Sequence, residues 1–153
     1  MRRRPAGFTL VEIMIVVAII CLLAVLAVPS LLRARERTQK TRFITALRVV
    51  RDACDLFVTE NNGFPADVNR GILPAGMATY FNGKLNWNAP TPIGGRWDWD
   101  YKVLGITAGV SVVSAPKTVA EMTEIDAMCD DGSLTTGAFR RMESDRYTWI
   151  LEN

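Results

Sequence analysis

The chain opens on an apolar block and changes rhythm only after it. From Ile13 to Leu32 no residue is charged, and only Pro29 and Ser30 interrupt the aliphatic run. Twenty such residues, at a rise of about 1.5 Å each, make a helix of about 30 Å, the thickness of a bilayer's hydrocarbon core. Beyond it the pattern becomes one-sided. Phe43, Leu47, Val50, Cys54 and Phe57 recur at spacings of four and three, with Arg42, Arg48, Arg51 and Asp52 between them. Asn61-Asn62-Gly63 predicts the stop, and Pro65 forbids continuation. One helix of about 80 Å is therefore expected from Phe8 to about Asn61, half anchor and half spine for a domain.

The texture from Gly63 to Gly95 is that of a loop, with Pro65, Pro74, Pro90, Pro92 and a short helical turn near Met77–Phe81. Trp97-Asp-Trp-Asp-Tyr-Lys-Val103 then alternates at period two, which predicts a strand with Trp97, Trp99, Tyr101 and Val103 on one face. Ala108–Ala115 reads as a second strand. Thr118–Cys129 suits a short helix, with Val119, Met122, Ile125 and Met128 or Cys129 facing inward. Ala138–Met142 and Tyr147–Leu151 read as a terminal hairpin around Glu143-Ser-Asp-Arg146. The expected class is α+β: a long N-terminal helix packed on a small antiparallel sheet.

Charge changes the picture once it is divided. The formal +2 hides a leader (1–7) at +3, an apolar stretch at −1 (Glu12), a segment 33–52 at +5 and a remainder 53–153 at −5. That division predicts a membrane-proximal basic stem under an acidic head rather than a nucleic-acid surface. The basic run Arg33, Arg35, Arg37, Lys40, Arg42 is expected to be a solvated or headgroup-facing side, and no nucleic-acid partner is predicted. There is no histidine, which excludes histidine triads, histidine general bases and histidine metal ligands. Cys21, Cys54 and Cys129 form no CxxC pair. Cys21 is a small hydrophobe of the apolar run, whereas Cys54 and Cys129 are a possible disulfide in an oxidising compartment. Asp98 and Asp100 lie on one strand face with no base or nucleophile beside them in sequence. They are expected as solvated positions of a half-buried strand, so no catalytic residue and no enzyme activity is predicted.

Glu12 is the anomaly of the apolar block. A carboxylate there is costly unless it is paired or reaches the headgroup level, and it lies only about 6 Å along the helix. Physics alone leaves both readings open.

The segment Gly7-Phe-Thr-Leu-Val-Glu12-Ile-Met-Ile-Val-Val-Ala18, behind a short basic leader, closely resembles the N-terminus of type IV prepilins and type II secretion pseudopilins. The resemblance extends through Pro29, about a fifth of the chain. It implies a leader (1–7), a transmembrane and polymerisation half-helix (8–32) and a pilin head (33–153). It further implies cleavage by a prepilin peptidase between Gly7 and Phe8, N-methylation of Phe8, and pairing of Glu12 with the freed Phe8 amine of a neighbouring subunit. Pro29 would mark where the packed helix can melt in the filament. The partners implied are further copies of the chain, the peptidase, an inner-membrane assembly platform, the lipid bilayer before assembly and minor pilins. The localisation implied is a single-pass inner-membrane protein with a cytoplasmic N-terminus, then a periplasmic or cell-surface filament. A bare count of basic residues on the two sides of the anchor weakly favours the reversed topology; the resemblance overrides it.

The same residues admit two other readings. Residues 1–27 can be an ordinary signal peptide cleaved after Ala27, giving a secreted soluble protein. Glu12, the length of the apolar run and the continuous helix past residue 33 all count against it. Major pseudopilins hold calcium in the head, and Asp126, Asp130 and Asp131 invite that comparison. Their spacing matches no loop signature, so no metal ligand and no cofactor is assigned.

Overall fold

The computed structural model describes residue 7 and residues 9–153, and divides into two compact units at Thr38/Gln39. Helix α1, Leu10–Asn61, contributes to both. It starts two residues later than the apolar pattern predicts, because Thr9 is its cap.

In the first unit every described residue is exposed, and the side chains from Leu10 to Leu32 stand in the open on all sides of the helix. The segment is long and apolar enough to cross a membrane. Pro29 lies inside the helix without ending it. It deprives the Val25 carbonyl of its usual donor, and two residues further on the Ser30 hydroxyl donates to the Ala27 carbonyl at 2.9 Å. The five-member basic run does not behave as one surface. Arg33 and Arg35 are exposed, whereas Lys40 in the second unit is 8% exposed and bonds to Glu124 on the next helix.

The second unit is built on the C-terminal half of α1. Phe43, Ile44, Leu47, Val50, Ala53 and Cys54 are buried at the predicted spacings of three and four. Phe43 stacks on Trp97 at 5.5 Å between ring centroids and meets Phe139 edge-on at 6.3 Å. Each such ring buried fully is worth about 1.5–3 kcal/mol of apolar transfer. The helix stops where the sequence predicts, with Asn62 in the left-handed region and the Asn61 amide donating to the Phe57 carbonyl at 2.9 Å.

Four antiparallel strands form the sheet: β1 Arg96–Tyr101, β2 Ala108–Val113, β3 Phe139–Glu143 and β4 Arg146–Glu152, in the order β1-β2-β4-β3. The terminal hairpin thus inserts β4 beside β2. Gly109 is required where β2 meets β4: a Cβ there would lie 2.7 Å from Thr148 Cγ2 and 2.8 Å from Ile106 Cδ1. Both outer strands are guarded against edge pairing. The Tyr101 N–H donates to Asp67 Oδ1 at 3.0 Å on β1. On β3 the Phe139 N–H donates to Asp130 Oδ2 at 3.0 Å and the Arg141 N–H to the Leu134 carbonyl at 2.9 Å.

Helix α2, Val119–Cys129, begins with a full capping box between Thr118 and Glu121. It buries Met122, Ile125 and Asp126; Val119, expected inward, is exposed, and of Met128 or Cys129 it is Cys129 that packs against the core. The predicted short helical turn is present as a 3₁₀ helix at Met77–Phe81. β1 ends at Tyr101, so Val103 is not on its face: Lys102 and Leu104 take left-handed conformations and turn the chain.

Candidate functional site

The first candidate lies at the start of α1. The Thr9 N–H donates to Glu12 Oε2 at 2.7 Å and its hydroxyl donates to the same oxygen at 2.8 Å. The Glu12 N–H returns a bond to Thr9 Oγ1 at 3.2 Å. This is the reciprocal chemistry that opens α2, where the Thr118 N–H donates to Glu121 Oε2 at 2.9 Å and Glu121 N–H to Thr118 Oγ1 at 3.2 Å. Glu12 therefore serves as a helix cap as well as a carboxylate in an apolar block, and its negative charge sits at the positive end of the helix dipole. The Thr-x-x-Glu spacing carried that signal in the sequence, and Thr9 was missed. Gly7 is exposed, with no atom within 4 Å of the place a side chain would occupy. Phe8, the expected methylated residue, lies outside the described residues.

The possible Cys54–Cys129 disulfide is not formed in this structure. Cys21, Cys54 and Cys129 are all free thiols. Cys54 is fully buried in the aromatic core, and burial pushes its pKa up to about 12. Cys129 donates to the Ile125 carbonyl of its own helix at 3.2 Å and lines a 340 Å³ cavity with Ile44, Leu47, Arg48 and Trp149.

Sequence spacing assigned no metal ligands, but the fold brings three carboxylates together. Oxygens of Asp126, Asp130 and Asp131 lie within 4.8 Å of one another at the end of α2. Both carboxylate oxygens of Asp126 are buried with no hydrogen-bond partner. Burial, then the charges of Asp130 and Asp131, push its pKa up to about 6. An all-oxygen, anionic set with an unsatisfied buried member suits a hard cation such as calcium.

A second cluster overturns the solvated-strand expectation. Asp98 and Asp100 are 1% and 2% exposed. Arg146, delivered by β4, bonds Asp98 Oδ2 at 2.9 Å and also bonds Asp100, while its Nε reaches Glu143 at 3.1 Å. Ser111 donates to Asp100 and shares a bond with Thr148 at 2.6 Å. Part of the acidic excess of residues 53–153 is thus interior: Asp98, Asp100 and Asp126 are buried, with Arg146 buried beside the first two. The expected acidic head surface is correspondingly weaker.

Comparison with known proteins adds the following. Residues 2–28 match the prokaryotic N-terminal methylation motif. The type II secretion system core protein G of Aeromonas hydrophila is 34% identical over 64 residues, 42% of this chain and 45% of that protein. The core protein G of Escherichia coli is 36% identical over 69 residues, 45% of this chain and 47% of its own length. The chain thus spans about half the length of these relatives. The type IV wide pilus major component PilA4 of Thermus thermophilus is 31% identical over 110 residues, 59% of this chain and 84% of that protein. No solved structure matches. The match to PilA4 runs over most of that protein, beyond the methylation motif, and shows that the chain belongs to the type IV pilin and type II secretion pseudopilin family.

Proposed function

We propose that the chain is a structural subunit of a helical filament, either a type IV pilus or a type II secretion pseudopilus. It is made as a precursor, held in the inner membrane by α1 with its N-terminus cytoplasmic, cut between Gly7 and Phe8 by a prepilin peptidase and methylated on Phe8. An assembly platform then extracts it into the polymer, where Pro29 marks the point at which the helix can loosen.

The observation that carries this reading is Glu12 at the head of an exposed, otherwise apolar half-helix. Among the described residues of one subunit the carboxylate is hydrogen-bonded by Thr9 but meets no opposite charge. A low-dielectric filament core penalises an uncompensated charge heavily. The Phe8 amine of a neighbour, freed by cleavage, is the partner that becomes available only after processing. In the head, Asp126, Asp130 and Asp131 are the residues that fit a calcium ion, and bound calcium would neutralise their mutual repulsion.

Mass spectrometry of sheared filaments tests the proposal: the mature protein should begin at N-methylated Phe8. Soluble protein beginning at Val28, with no filament, would replace it with the secreted reading.

A further inference from the structure

The Asp98–Arg146–Asp100 cluster plays no part in processing or polymerisation as proposed, yet all three of its charged side chains are buried in the head. Two carboxylates on one face of β1 share a single guanidinium, and Arg146 also serves Glu143. From the loop after α1, Arg70 bonds Glu143 at 2.8 Å and Asp145 at 3.1 Å, and the backbone N–H of Gly71 lies beside Asp98. From β2 and β4, Ser111 and Thr148 close the Asp100 side. In the interior, then, two carboxyl groups (Asp98, Asp100) share one guanidinium (Arg146), while Glu143, Asp145, Arg70 and, on the same strand face, Arg96 stand half-exposed or exposed at its rim. Within the buried trio one atom is left over: Asp98 Oδ1 is buried with no hydrogen-bond partner. A buried anionic cluster short of positive charge, with one open carboxylate oxygen, is a proton-binding arrangement.

We propose that Asp98 is the proton-binding residue of an acid-tightened lock in the head. Uptake of one proton from solvent onto its carboxylate ends the competition for Arg146, leaves that guanidinium to Asp100 and Glu143, and makes the packing of β1, β4 and the Arg70 loop firmer. No other reactant is needed, and the device does not depend on the filament reading.

The sign follows from burial. Desolvation first, then the neighbouring Asp100, hold Asp98 up to about 6 against an ordinary 3.8, with Arg146 opposing. Between those values the folded head binds more protons than the unfolded chain, so stability falls as pH rises through the window and stays lower at neutrality. Arg146 is itself held above its ordinary value and stays charged throughout.

The test uses the full chain in detergent, with thermal melts followed by near-ultraviolet dichroism of the buried tryptophans. Asp98→Asn should melt several degrees above wild type at about pH 7 and coincide with it at about pH 4. Taking the difference between the two proteins removes the contribution of Asp126. A difference that does not change with pH overturns the proposal. Should Asp98→Asn fail to fold, carboxyl carbon chemical shifts in the wild-type chain decide. A titration midpoint for Asp98 near 6 supports the lock, and one near 4 refutes it.

Discussion

Residues 10–38 and 39–61 belong to one helix and are both rich in aliphatic side chains, but those side chains have opposite fates. In the first stretch all of them are exposed, and the burial that would stabilise them has to come from another medium, lipid or neighbouring helices. In the second stretch Phe43, Leu47, Val50 and Cys54 are buried within the same chain, against Trp97, Phe139 and Met122. The first half is therefore a structure completed from outside and the second a structure completed from within. The same Thr-x-x-Glu cap reads differently in each setting. At Thr118–Glu121 it is a local device: Lys117 supplies the positive charge at 2.8 Å and the Glu121 carboxyl is held down at about 2 by Lys117 and Thr118. At Thr9–Glu12 no basic side chain is bonded to the carboxylate among the described residues.

The sharpest way to break that comparison is Glu12→Ala. It should leave insertion and cleavage after Gly7 intact and lower the yield of sheared filaments about tenfold or more, a change that corresponds to about 1.4 kcal/mol per factor of ten. Glu12→Gln, which keeps the shape and removes the charge, should be nearly as defective. Wild-type filament yield from Glu12→Ala, in a strain lacking the native copy, would reduce Glu12 to a cap. The same measurement on Thr9→Val separates the two roles, since it removes the cap and keeps the charge.

Phe43→Ala attacks the other half. Removing a ring stacked between Trp97 and Phe139 should cost about 3–5 kcal/mol, a large part of the stability of a domain this size. Denaturant titration of the head's tryptophan fluorescence would show it, while membrane insertion and processing stay as in wild type. Loss of processing in this variant would mean that the anchor is not autonomous.

Calcium should have the smallest of the three effects. Added to metal-free chain, it should raise the melting temperature by several degrees, and Asp126→Ala should abolish the rise. An unchanged melting curve would leave Asp126, Asp130 and Asp131 as an acidic cluster without an ion.

Much of the fold was legible because it is written at short range. The uncharged run Ile13–Leu32, the three-and-four spacing from Phe43 to Phe57, the alternation in Trp97–Tyr101 and the Asn-Asn-Gly stop each lie within a few turns of chain. Local geometry alone turns them into anchor, spine, strand and terminus. The Gly7–Glu12 motif was equally local. Where the expectations failed, the deciding partner was distant. Asp98 and Asp100 alternate with tryptophans as solvated residues would, and only the pairing of β2 with β4 brings Arg146, 46 residues from Asp100, to bury them. Lys40 looked like one more stem cation until the fold placed Glu124, 84 residues away, against it.

The sequence by itself determined the anchor, the spine, the strand and helix order and the amino-terminal motif, because periodicity and capping act within one element. Tertiary structure alone decided which charges are interior and that three aspartates near the end of α2 converge. Burial and charge pairing depend on what packs on the far side of a residue, and neither the period nor the composition of its own segment carries that information.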